Sequence, residues 1–338
     1  MPVLCDVVWL DTGSDVNRSG YLPLRFAVSV AMLAFLASRV RGFSWTDIVP
    51  SLNAVTILWL VGAGLFTLAG YLVSIARWHQ VLIVLELPAR MGRLATHYLA
   101  AQFVSNALPT TIGGDLVRVR RLSRENDDQP GTIASVVLER MTGWFVLPLV
   151  SLTGLAINPG LSHDQAAARL AIWTAVVTLL GLSVALVVAQ HPHFGGRARN
   201  WRGIGRFMDS IALALRHLKV HPRTAVSVLA VGVLYALVLI GAAYMSARAL
   251  QLEAIGLTAL LAFYPAVLIL QVLPVGISGL GVREAALAVF LVPLGIEVEQ
   301  AIAFGIFLYI LNLAISLVGV PAFTVGKRKM MEPTLETM

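Results

Sequence analysis

Two arginines, Arg118 and Arg283, end two near-copies of one peptide, each in a stretch too apolar for a soluble loop. LPTTIGGDLVR begins at Leu108 and LPVGISGLGVR at Leu273. Six of the eleven aligned positions are identical: Leu108/Leu273, Pro109/Pro274, Ile112/Ile277, Gly114/Gly279, Val117/Val282 and Arg118/Arg283. An amide recurs just upstream, as Asn106 and Gln271. A guanidinium presents a planar fork of donors that matches a phosphate two bonds at a time. A helix that restarts after a break turns its first N–H groups and its dipole toward an anion, and glycines let the backbone come close to it. In the first copy the restart falls near Gly113, Gly114 and Asp115, with Asp115 placed as an N-cap. In the second it falls near Ser278, Gly279 and Gly281, with Ser278 able to cap. The chemistry that these residues suit is recognition of an oxyanion. The simpler alternative is that each arginine snorkels, or pairs with a local acid, Asp115 or Glu284.

A second charged feature, Glu139-Arg140, lies inside the apolar segment 132–157, about 11 Å from its start at helical rise. Neighbours on a helix point to different faces, so each must find its partner on another element. Arg118 and Arg121 are the candidates for Glu139. Two roles stay open for this pair, an ion-pair lock and a contact to substrate. His217 and His221 have a metal-compatible spacing, but their loop is basic and offers only Asp209, so it reads as solvated surface and no metal or cofactor is expected. The glycines of 276–281 follow no soluble strand, which a nucleotide-binding loop requires. Trp78, Trp144 and Tyr264 read as packing or interface aromatics.

The elements that must position these residues are transmembrane helices. The chain is 58% hydrophobic and 13% charged, against about 25% charged in a soluble domain. Its mean hydropathy is +0.81. Runs 54–76, 170–190, 224–247 and 300–326 lack charge and reach the roughly 20 residues that a spanning helix needs. The fold class is all-α, a polytopic membrane protein with about six spanning helices (22–40, 54–76, 132–157, 168–190, 224–247 and 299–326) and two re-entrant hairpins. Residues 1–21 form an N-terminal tail without the pattern of a cleavable signal peptide, 22–326 one membrane domain, and 327–338 a cytoplasmic tail. Connector 41–53 should lie at the membrane interface, Arg77-Trp78 reads as an interface anchor, and 78–93 as an amphipathic surface helix. The net charge of +7 reads as topology and anionic-lipid contact rather than nucleic-acid binding. Cys5, the one cysteine, can form no intramolecular disulfide.

The first broken segment rises over 94–108, about 22 Å and short of a ~30 Å core. It turns at 109–114 and returns over 115–124. The second rises over 257–273, turns at 274–281 and returns over 282–294. Lys and Arg concentrate in 77–93, 115–131, 191–223 and 327–329, while the other side has Arg39, Arg41, Arg169 and Arg248. Both termini are therefore expected in the cytoplasm. Three spans separate the hairpins, so they should enter from opposite faces and make 54–157 and 224–326 an inverted repeat. Paired breaks in corresponding halves point to a carrier site near the bilayer midplane.

NALPTTIGGDLVR from Asn106, SVVLERMTG from Ser135 and LPVGISGLGVREAAL from Leu273 together resemble the flippase-like membrane domain family, also called the lysylphosphatidylglycerol synthase transmembrane region. The resemblance covers roughly 54–326. It implies movement of a phospholipid or glycolipid across the cytoplasmic (inner) membrane, beside a separate lipid-modifying enzyme, with no aminoacyl-transferase domain expected in this chain. The expectation is a translocase and not an enzyme, with substrate contacts from Asn106, Gly113, Gly114, Asp115, Arg118, Glu139, Arg140, Gln271, Ser278, Gly279, Gly281, Arg283 and Glu284. The rival readings are a membrane lipid glycosyl- or acyl-transferase, and a non-catalytic subunit of a lipid-synthesis complex.

Overall fold

In the computed structural model, the described residues are 53–87, 89–107, 113–162, 165–190, 212, 216, 222–272 and 279–323. α1 (Ala54–Val84) starts at Asn53, whose Oδ1 accepts from Thr56 N at 2.7 Å. Asn53 thereby satisfies one of the N–H groups orphaned at a helix start. α1 does not stop at 76. Trp78, Val81, Leu82 and Val84 are all buried, so the chain stays helical through Val84 to pack them. The expected surface helix 78–93 is therefore divided between the end of α1 and the start of α2.

α2 (Met91–Ala107) and α3 (Gly113–Asn126) form the first hairpin. At 17 and 14 residues neither reaches across a ~30 Å core. They meet at Gly114, where a Cβ would stand 2.5 Å from Ala101 O, so only glycine permits this approach. α4 (Gln129–Ile157) follows, capped by Asp128, whose Oδ1 accepts from Gly131 N at 2.9 Å. α5 (Gln165–Gln190) and α6 (Pro222–Ala249) are the next long helices among the described residues.

The second hairpin is α7 (Leu257–Leu270) and α8 (Val282–Leu291), joined by the stacked rings of Phe263 and Phe290, 5.3 Å apart. Its turn carries Gly279 at φ +75° and Gly281 at φ +84°, a region that costs any residue with a Cβ. At Gly279 a Cβ would also lie 2.9 Å from Gln271 Cβ. α9 (Val298–Ser316) closes the second unit and continues helically to Phe323.

The described residues thus contain α1–hairpin–α4 and α6–hairpin–α9 in matching order, with α1 packed along α6. Among the described residues five segments are long and apolar enough to span: Ala54–Val84, Gln129–Ile157, Ala166–Val187, Ala225–Ala249 and Val298–Phe323. Their outer faces are bare apolar surface, with Leu58, Leu65 and Leu72 on α1 and Trp173, Val177 and Val184 on α5 exposed. Such faces suit hydrocarbon rather than water. The expected span 22–40, connector 41–53, both tails and most of 191–223, including Asp209, His217 and His221, lie outside the described residues. So do Pro109, Pro274 and Ser278.

Candidate functional site

Glu139 stands on α4 with 3% of its surface exposed, and the charges around it are arranged to hold it there. Its Oε1 accepts from Ser74 Oγ at 2.9 Å and from Arg77 Nη2 at 2.8 Å, both on α1. Its Oε2 accepts from Arg118 Nη1 on the first hairpin. The rings of Trp78 and Tyr98 flank Arg118 at 5.1 and 5.3 Å. Of the two partners foreseen for Glu139, Arg118 makes the contact. Arg121 does not; it donates to the carbonyls of Ala322 and Phe323 at 3.0 and 3.1 Å.

Asp115 sits inside the first turn of α3 rather than at the cap position before it. Oδ1 accepts from Arg118 Nη2 at 2.6 Å, and Arg140 Nε and Nη2 each reach the carboxylate at 3.0 Å. The expected N-cap position is thus not the one that Asp115 takes, and its carboxylate is bound by two guanidinium groups.

In the second hairpin the ion pair is internal. Arg283 Nε and Nη2 donate to Glu284 Oε1 at 3.1 and 2.5 Å. Glu284 Oε2 accepts from Gly281 N at 2.6 Å, which fixes the start of α8. Glu284 is fully buried, and Arg283 lies over the Tyr309 ring at 5.5 Å. Tyr309 and Asn312 carry the contact across to the first hairpin. Tyr309 Oη donates to Asn106 O at 3.0 Å, and Asn312 Nδ2 donates to Asn106 Oδ1 at 3.4 Å.

Between the hairpins lies a cavity of about 290 Å³. Asn106, Gly114, Asp115, Arg118, Glu139, Arg140, Gln271 and Arg283 line it. Gly113, Gly279, Gly281 and Glu284 are not part of the lining, and Ser278 lies outside the described residues.

Arg77 also lines the cavity, as do Ser74, Tyr98, Tyr235, Tyr309 and Asn312, none of which the sequence reading singled out as a site residue. Arg77 and Trp78 are not interface anchors. Arg77 is 5% exposed and paired with Glu139, while Trp78 is fully buried and donates its Nε1 to Ser135 Oγ at 3.1 Å. An Arg-Trp pair at the end of an apolar run looks like a membrane border only if the helix ends there. The further run Val81–Leu85 was the signal that it does not. Trp144 lines the cavity and Tyr264 is buried in the core.

Residues 23–319 match the family model of the lysylphosphatidylglycerol synthase TM region. No curated protein matches the chain.

Proposed function

The chain belongs to the lysylphosphatidylglycerol synthase transmembrane family, and from that premise we propose that it moves a lipid with an anionic headgroup across the cytoplasmic membrane. One observation carries this reading: the cavity between the two broken segments has more positive than negative charge. Arg77, Arg118, Arg140 and Arg283 face Asp115 and Glu139, and Arg283 is further balanced by Glu284. Four guanidinium groups against three carboxylates leave one positive charge in excess among the described residues. Charge inside a membrane domain is costly unless it is paired or used. A headgroup bearing one net negative charge would neutralise the remainder.

Both hairpins contribute to the cavity wall, as expected of a site that faces each side in turn when one repeat rocks against the other. In this reading both termini are cytoplasmic, the hairpins dip from opposite faces, and the acyl chains stay among the apolar outer faces while the headgroup crosses. The lipid is made by a separate modifying enzyme and is not altered during passage.

The test is reconstitution into liposomes with fluorescent phosphatidylglycerol, reading how much becomes accessible to an impermeant quencher. Faster exposure than in empty liposomes, with the lipid chemically unchanged, is the expected result. Chemical conversion of the lipid would make the chain a transferase, and exposure no faster than in empty liposomes would overturn translocation.

A further inference from the structure

We infer that Arg77 is the residue that contacts the anion directly, with the Asn106 carboxamide beside it, and that the ligand atoms are the oxygens of a phosphate ester carrying one negative charge. The inference rests on the proposed lipid-binding role of the cavity and assigns its donors.

The cavity's arginines differ in what they have left to offer. Arg118 is held by Glu139 and Asp115, and Arg283 by Glu284. Arg77 spends only Nη2 on Glu139. Its Nε and Nη1 are buried and have no acceptor among the described residues. Glu139 accepts from Ser74, from Arg77 Nη2 and from Arg118, and it takes no bond from Nε or Nη1. Asn106 is 9% exposed and lines the same cavity, and its Nδ2 is likewise without an acceptor. No other buried cavity-lining side-chain nitrogen or oxygen among the described residues is left so. All three unused groups are donors. What fits them is a cluster of acceptors, and the excess positive charge asks that this cluster be anionic.

The surroundings keep Arg77 in place and its free edge open. Tyr235 on α6 stacks under the guanidinium at 4.8 Å. Gly143 on α4 and Gly232 on α6 face Nη1, where an added Cβ would stand 3.6 and 4.0 Å away. A Cβ at either glycine would only touch Nη1, and a side chain that extends further would fill the space beside the donor.

A free phosphate and a lipid phosphodiester share this chemistry, so the test separates them. Purified protein in detergent is heated with phosphatidylglycerol in mixed micelles, with phosphatidylcholine, or with inorganic phosphate, and the midpoint of unfolding is followed against ligand concentration. Four forms are compared: wild type, Arg77→Lys, Gly143→Leu and, as control, Arg121→Lys. Lysine keeps a charge for Glu139 but has neither the Nε nor the Nη1 donor. Gly143→Leu leaves Arg77 intact and fills the space beside Nη1, so it remains informative if Arg77→Lys fails to fold. The expected result is protection of wild type and Arg121→Lys by phosphatidylglycerol, with at least a tenfold higher half-saturating concentration in Arg77→Lys and in Gly143→Leu. Protection by inorganic phosphate with the same dependence on Arg77 would keep the donor assignment and make the source a free anion. Equal protection by phosphatidylcholine would remove the charge requirement and overturn the ligand class. Full protection retained in Arg77→Lys and Gly143→Leu would overturn the role of Arg77 while leaving the cavity reading standing. Wild type protected by none of the three would instead sink the cavity reading itself.

Discussion

Glu139 is the residue on which most of the buried charge depends. It compensates Arg77 and Arg118 at once, and Arg118 in turn shares Asp115 with Arg140. Removing one member of a buried pair leaves an unpaired charge and typically costs about 3–5 kcal/mol. Glu139→Gln should therefore lower the unfolding midpoint in detergent strongly. Adding Arg118→Gln should recover part of the loss, because one stranded cation goes with it. Strict additivity of the two substitutions would show that the contact is energetically idle. Of the two roles that the sequence left open for Glu139, the ion pairs are those of a lock: the carboxylate ties the first hairpin to α1 and α4 and holds Arg77 in the cavity wall.

At the scale of elements, close backbone approaches hold the helices. Ser151 Oγ donates to Ala262 O at 2.5 Å, and one turn later a Cβ at Gly154 would stand 2.4 Å from Ala262 N. Gly154→Ala must push α4 off α7, at a cost of about 1–3 kcal/mol. Gly181→Ala on α5 has nothing within 4 Å of the added methyl and should be neutral or stabilising by up to ~1 kcal/mol. Thermal midpoints of the two variants measured side by side check this; equal midpoints would mean that α4 and α7 part freely. The two hairpins were legible in the sequence because a break leaves Pro and Gly at fixed places and halves the apolar run. The end of α1 was misread because a charge followed by an aromatic has the same appearance at a membrane border and in a buried network. What tells them apart is the partner, and Glu139 is 62 residues away in sequence. The pairing of Asp115 with Arg118 was one of the alternatives that the sequence offered, but its second partner, Arg140, was missed for a related reason. A carboxylate at a helix start is a cap by local rules, and only the tertiary fold brings Arg140 within reach.

For the whole molecule, the inverted arrangement proposed here needs an odd number of spans between the hairpins, and the described residues hold three long apolar helices there. Single cysteines at Gln129 and Glu253, in a Cys5→Ser background, read the sidedness directly. With an impermeant thiol reagent on intact cells, Glu253→Cys should label and Gln129→Cys should be shielded; labelling of both would break the inverted topology. The two halves are alike in path but not in charge. The first hairpin is joined to α4 by Arg118–Glu139 and Arg140–Asp115, whereas among the described residues the second has its ion pair within itself, in Arg283–Glu284. If these halves descend from one ancestral unit, they are no longer interchangeable parts. A chain assembled from two second halves would lack the carboxylate and arginine that tie a hairpin to its neighbour, and one assembled from two first halves would bury a second Arg–Glu–Arg cluster against the first.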